Sequence, residues 1–259
     1  MGRGQAVRHL ILDQRIVGSN PTVPAKALML KAPKGAFCYT VRMIRVKICG
    51  NRTAKDALKA VEYGADGIGL LVGQKHNSPD FISPDEAKDI ILQLPPFVSS
   101  VLVTHLSAPD EIVSLAKELG VTMIQLHGDT TPGEAKAIKE ELPYIKLYKA
   151  IHVTGVEAIQ NAETYADVVD AVILDTINVS TNQVGGTGQT HDWSISAQIV
   201  KGLSIPVILA GGLNPDNVVE AIKQVQPFAV DVNSGVKDAD GYKDFEKLKS
   251  FIERAKGLS

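Results

Sequence analysis

Cysteine is nearly absent from this chain: 259 residues contain two, Cys38 and Cys49. That is too few for a disulfide framework and fits a reducing compartment, the cytoplasm. No apolar run approaches the ~18 residues needed to span a bilayer, which excludes an integral membrane protein. Excess charge of one sign is also missing. A formal net charge of −2 argues against a nucleic-acid surface across the chain. What is present is ordinary for a water-soluble domain: 44% apolar residues, 22% charged and 5% aromatic, enough for a full core.

The charge is unevenly placed. Residues 1–42 carry seven Lys/Arg against Asp13 alone, leaving 20 basic and 28 acidic residues for the other 217. This head has no sustained period of 3.6 or 2 and is broken by Gly18, Pro21, Pro24, Pro33 and Gly35. It reads as an irregular extension outside the fold. Three origins fit it: a transit-type peptide, an arm for a polyanion, or a start assigned too far upstream, with Met43 as the true first residue. Gly18-Ser19-Asn20-Pro21 is what translation of a transfer-RNA T arm yields, which favours the third. An intact mass of protein from its native source tests it, since residues 1–42 should be missing.

From Ile44 onward, short apolar runs alternate with helical stretches. The expected strands are Arg45–Cys49, Gly67–Val72, Ser100–His105, Met123–Leu126, Ile145–Ala150, Ala171–Asp175, Pro206–Ala210 and Phe228–Val232. Helix starts are written at Ser83-Pro84-Asp85-Glu86 and Thr131-Pro132-Gly133-Glu134, and Thr154-Gly155-Val156-Glu157 reads as a further capping box. Asn214-Pro215 pairs a capping side chain with a first-turn proline. The strands are almost continuously apolar, as strands covered on both faces should be. Eight such units over 43–259 predict a single (β/α)8 TIM barrel as the catalytic domain; a doubly wound sheet is the alternative.

In a barrel, reactive groups lie at the C-terminal ends of strands. Gly211 and Gly212 after the seventh strand, and Asn233, Ser234 and Gly235 after the eighth, are candidate phosphate loops; tight turns alone would also explain these glycines. Gly186 and Gly188 sit in another glycine-rich loop, a lid or a further phosphate contact. Cys49 ends the first strand. It is either a small buried hydrophobe or, as thiolate, a general base, which requires its pKa to fall, with Lys47 two residues away on the same face. Asp175 ends the sixth strand after four apolar residues. It is either a loop cap or, with a pKa raised by burial, a general acid.

Lys47-Ile48-Cys49-Gly50, Gly64-Ala65-Asp66-Gly67, Gln125-Leu126-His127-Gly128, Leu174-Asp175-Thr176, Gly185-Gly186-Thr187-Gly188 with Asp192-Trp193, Gly211-Gly212-Leu213-Asn214-Pro215 and Phe228-Ala229-Val230-Asp231-Val232 run in order through 43–259. Together they resemble the phosphoribosylanthranilate isomerase family. The resemblance implies an Amadori rearrangement in tryptophan biosynthesis, with a small phosphosugar as substrate, no metal and no organic cofactor. It casts Asp175 as the acid that opens the furanose ring and Cys49 as the base that takes the C2 proton. Barrels of this size occur as monomers and homodimers, and no exposed apolar face stands out in the pattern. No nucleic acid or membrane partner is implied.

The departures fall on the side of the substrate's aromatic ring. Where the family writes Ser-Pro-Arg, this chain has Ser78-Pro79-Asp80, and the missing arginine is the family's partner for the anthranilate carboxylate. Val72–Asn77 and Val103–Leu106 also differ from the family's usual residues. Either Lys75, or a charged His76 or His105, takes over the carboxylate, or the chain is a paralogue acting on another phosphoribosylamine. Under the first reading, Asp80→Arg should lower the apparent substrate constant. The plain reading of His76 and His105 is as exposed loop residues. His127 is either a site residue or a partner for the backbone, and His191 and Trp193 anchor the sixth helix. A phosphate-binding barrel kept for interaction rather than catalysis is a third possibility, against which Cys49 and Asp175 both count.

Overall fold

The computed structural model describes residues 44–73, 78–178, 183–184 and 190–257. The extension 1–42 and Lys75, His76, Gly186 and Gly188 lie outside the described residues. Among the described residues, eight barrel strands alternate with eight α-helices. In chain order they are β1 (Arg45–Ile48), α1 (Ala54–Glu62), β2 (Gly67–Leu71), α2 (Pro84–Gln93), β3 (Ser99–Thr104), α3 (Pro109–Leu119), β4 (Met123–Leu126) and α4 (Pro132–Glu141). There follow β5 (Lys146–His152), α5 (Glu157–Tyr165), β6 (Ala171–Asp175), α6 (Trp193–Gly202), β7 (Val207–Leu209), α7 (Val218–Val225), β8 (Ala229–Val232) and α8 (Phe245–Lys256). All pairs among these eight barrel strands are parallel, and β8 returns to β1 to close the barrel, as the spacing predicts. A two-residue antiparallel pair, Ile177–Asn178 with Gln183–Val184, sits between β6 and α6. Among the described residues no helix is long and apolar enough to cross a membrane.

The helix starts show why local sequence sufficed. Ser83 and Thr131 each accept from the N3 backbone N–H while Glu86 and Glu134 reach back, with proline in the first turn. Such a cap contributes ~1 kcal/mol. The box expected at Thr154 does not form. The Thr154 hydroxyl donates to the Glu157 carboxylate at 2.7 Å, but the α5 cap is Val156 and no side chain caps it. The first turn is instead closed by Ala158 N–H to Gly155 C=O and Ile159 N–H to Val156 C=O. At Asn214 the side chain accepts from Asp216 and Asn217 N–H, making a turn that leads into α7 at Val218. Asp192 caps α6, and His191 Nε2 lies 2.6 Å from Ser196 Oγ, so His191 and Trp193 do sit at the start of that helix.

Strand parity divides the core. Val46, Ile48, Leu102, Leu147, Ile151, Val172, Leu174 and Val230 pack outward against the helices. Cys49, Val101, Val103, Tyr148, Ala150, Ile173 and Ala229 form a second cluster inside the barrel. Alternation along each strand, with period 2, is what produces the two layers.

Candidate active site

Following the interior-facing columns to the strand ends locates the chemistry. β1 contributes Lys47 and then Cys49. β3 runs Val101, Val103 and His105; β4 runs Gln125 and His127; β5 runs Tyr148, Ala150 and His152; β6 runs Ile173 and Asp175; β8 runs Ala229, Asp231 and Asn233. Each column passes from the barrel interior to a polar group at the mouth. Direct register partners join them sideways: Lys47 with Asp231, and His152 with Asp175.

Under Cys49 lies a buried ion pair. Lys47 Nζ donates to Asp231 Oδ2 at 2.7 Å, with both side chains less than a tenth exposed. Burial works against the ammonium, but Asp231, with Cys49 and Tyr148, outweighs it and holds Lys47 well above the ordinary lysine range. Burial pushes the Cys49 thiol up to about 11, with Lys47 pulling the other way. The fall in pKa expected for Cys49 is therefore not a property of the free site. Gly69 on β2 is needed here, because a Cβ would stand 3.0 Å from Cys49 Sγ and 3.1 Å from Lys47 Cε. Lys47→Met will strand the Asp231 carboxylate without its counter-charge and lower stability by ~3–5 kcal/mol. Urea denaturation reads that loss, and an unchanged midpoint would mean the pair is dispensable.

On β6, burial raises the Asp175 carboxyl to about 6, while the Thr176 N–H, donating to Oδ1 at 2.7 Å, restrains the shift. His127 Nε2 stands 3.9 Å from Asp175 Oδ2. Burial, then neighbouring His105 and His152, holds His127 well below its ordinary range, so the ring is neutral and this contact is not an ion pair. The Gln125 amide nitrogen lies 3.1 Å from His127 Nδ1; with that amide donating, Nε2 keeps the proton and faces the carboxyl. His127 thus has side-chain rather than backbone partners. Phe81, His105, His127 and His152 form an arc of rings with successive centroids 5.3, 4.8 and 5.6 Å apart. His105 is half-buried in this arc rather than an exposed loop residue, because the β3 column carries it into the mouth. Burial lowers His152 to about 4. Among the described residues no group of His, Cys, Asp and Glu could hold a metal ion.

The loops after β7 and β8 meet at Gly235, where a Cβ would stand 1.9 Å from the Leu213 carbonyl oxygen. Gly211 and Gly212 turn with positive φ, and Gly211 lies against Thr176 and Asp175. The Asn233 amide is committed within the protein: Nδ2 donates to Asp80 Oδ2 at 2.8 Å, and Oδ1 accepts from Lys243 Nζ at 3.1 Å. Lys243 also donates to the Cys49 carbonyl at 2.6 Å. Burial, then Lys237, lowers Lys243 to about 8. Asp80 is buried, and its other oxygen pairs with Lys237. The sequence alone assigns no role to His152, Asp231, Lys243 or Gln125; strand parity is the signal for His152, Asp231 and Gln125.

These are the groups of a general acid–base enzyme on a (β/α)8 barrel, with glycine loops suited to an anionic small molecule. The family model described as N-(5'phosphoribosyl)anthranilate (PRA) isomerase matches residues 46–254. The chain is 49% identical over 213 residues to N-(5'-phosphoribosyl)anthranilate isomerase 2 of Methanosarcina mazei, covering 82% of this chain and 94% of that protein. It is 45% identical to N-(5'-phosphoribosyl)anthranilate isomerase of Methanocella arvoryzae, covering 83% of this chain and 99% of that one. The crystal structure of phosphoribosyl anthranilate isomerase from Thermotoga maritima superposes with a TM-score of 0.74 at 38% identity, over 83% of this chain and all (100%) of that one. The chain belongs to the N-(5'-phosphoribosyl)anthranilate isomerase family.

Proposed function

We propose that this chain converts N-(5'-phosphoribosyl)anthranilate to 1-(2-carboxyphenylamino)-1-deoxyribulose 5-phosphate, the rearrangement implied by the names of its relatives, with its own side chains as acid and base. The observation that carries the assignment of roles is Asp175, a carboxyl that burial holds protonated up to about pH 6 at the mouth of the barrel. It donates its proton to the furanose ring oxygen. The C1–O bond breaks, and the nitrogen lone pair forms the C=N bond of a protonated Schiff base. Cys49 then takes the C2 proton, the C2–H electron pair becomes the C1=C2 bond, and the nitrogen is neutralised. Reprotonation at C1 and collapse of the C2 enol to the ketone complete an isomerisation in which no atom is gained or lost.

The high pKa of Cys49 in the free site fits this order of events. The thiolate is needed only after Asp175 has acted, when the Schiff base carries a positive charge on the nitrogen next to C1. That charge favours the thiolate and acidifies C2–H together. Lys47 stays with Asp231 and acts by proximity to the thiol. The arc of Phe81, His105, His127 and His152 takes the planar aromatic ring. Because the Asn233 side chain is committed to Asp80 and Lys243, the phosphate falls to backbone N–H groups of the turn Ser234–Val236 and of Gly211 and Gly212. Two cysteines in the whole sequence support the cytoplasm as its place of action.

The test is turnover by the full chain of phosphoribosylanthranilate generated in situ, followed by loss of its anthranilate-type fluorescence. Turnover confirms the reaction. A folded chain that binds phosphate but leaves the fluorescence unchanged would overturn it.

A further inference from the structure

Asp80 is a buried carboxylate to which the proposed reaction gives no role. Its carboxylate lies in the loop after β2, while its partners Lys237 and Asn233 lie in the loop after β8, more than 150 residues on and past the end of β1. Side-chain exposures of 11% and 13% remove the Asp80–Lys237 pair from bulk screening, so each charge depends on the other. The order of donors is fixed by chemistry. A carboxylate only accepts and an ammonium only donates, so Asn233 must turn Nδ2 to Asp80 and Oδ1 to Lys243. Lys243 in turn holds the carbonyls of Cys49 and Asn233, at 2.6 and 3.2 Å. The result is a continuous chain, Lys237 to Asp80 to Asn233 to Lys243 to the Cys49 backbone, that spans three loops. Neither oxygen of Asp80 is left unpaired toward an incoming carboxylate.

We propose that Asp80 and Lys237 are a positioning pair for the reaction, a clasp that holds Asn233 and thereby sets the phosphate loop relative to Cys49. The proposal rests on the reading of Asn233–Gly235 as that loop. It reverses the expectation for arginine at position 80. A third cation placed beside Lys237 and Lys243 would push the two loops apart, so Asp80→Arg should raise the substrate constant instead of lowering it.

The experiment is steady-state kinetics on the full chain, with inorganic phosphate as competitive inhibitor, for Asp80→Asn, Lys237→Gln, the charge-keeping variants Asp80→Glu and Lys237→Arg, Asp80→Arg, and Asn233→Ala. Each of the first two should raise KM and the phosphate inhibition constant about tenfold while kcat stays within about threefold. The charge-keeping variants, which preserve the order of donors and acceptors, should recover most of that loss. Charge-keeping variants no better than the neutral ones overturn the clasp, as does a fall in kcat with KM unmoved, or a lower KM in Asp80→Arg. Should a neutral variant fail to fold, the charge-keeping variants decide alone: KM within about threefold of wild type supports the clasp, and a KM about tenfold higher overturns it. Asn233→Ala separates the two readings. Recovery in the charge-keeping variants, with the phosphate constant unmoved in Asn233→Ala, keeps the clasp and rejects the phosphate loop.

Discussion

Asp175→Asn will reduce kcat by about 10²–10⁴-fold and make the protein more stable at the same time. Burial lifts this carboxyl to about 6, against ~3.9 for an aspartate in the unfolded chain. The folded state therefore binds the proton more tightly than the unfolded state. That contribution to stability is complete below about pH 4 and lost as pH rises through 6. At ~1.4 kcal/mol per unit, an ionised Asp175 costs on the order of 3 kcal/mol above that range. Asparagine keeps an acceptor for the Thr176 N–H and carries no charge. The urea midpoint of the variant should exceed that of the wild type at pH 8, and the difference should disappear near pH 4. Retained turnover would remove Asp175 from the acid role. An equal midpoint at both pH values would mean that its charge is not strained.

Cys49→Ser will be comparably damaging, by about 10²–10⁴-fold in kcat, because a serine hydroxyl is too weak an acid to supply the base form. The wild-type pH profile carries a more specific signature. The transition state for C2–H removal has the proton count of an enzyme with Asp175 protonated and Cys49 ionised, although the acid titrates at about 6 and the base at about 11. Between those values, one group loses its required form at the rate the other gains it. The population of the competent form is then constant, so kcat/KM should be flat from about pH 7 to 9 and fall below 6. A titration limb inside the flat window would show that a different pair of groups, or a Cys49 much more acidic than its burial allows, controls the reaction.

Much of this architecture was legible in the sequence because it is written locally. Ser83 with Glu86, and Thr131 with Glu134, specify helix starts within four residues, and both boxes are formed. The apolar runs specify strands, with ends shifted by a residue or two. β7 begins at Val207 because Pro206 has no N–H for the ladder, although its carbonyl still accepts from Val172. β5 runs on through Ile151 to His152 because Asp175 extends the neighbouring strand to the same level. Position at strand ends was enough to single out Cys49 and Asp175. What local reading could not reach was partnership. Nothing near Asp80 announces Lys237, and nothing near Lys47 announces Asp231. The same limit hid the arc of histidines, whose members lie at the ends of three different strands and meet only because their columns share one parity.

The distance between Lys47 and Asp231 along the chain has a consequence in time. They are 184 positions apart, and Lys243 follows Cys49 by 194. At ~5–20 residues per second, a ribosome needs on the order of 10–40 s between making Cys49 and making the lysine that holds its carbonyl. Through that interval β1 has neighbours on one side only, and its lysine must stay hydrated. Cys49, the proposed base, is among the first residues of the barrel to be synthesised and among the last to be set in place. A nascent or truncated chain can therefore expose this thiol, but not with its carbonyl held by Lys243 or with Lys47 paired to Asp231.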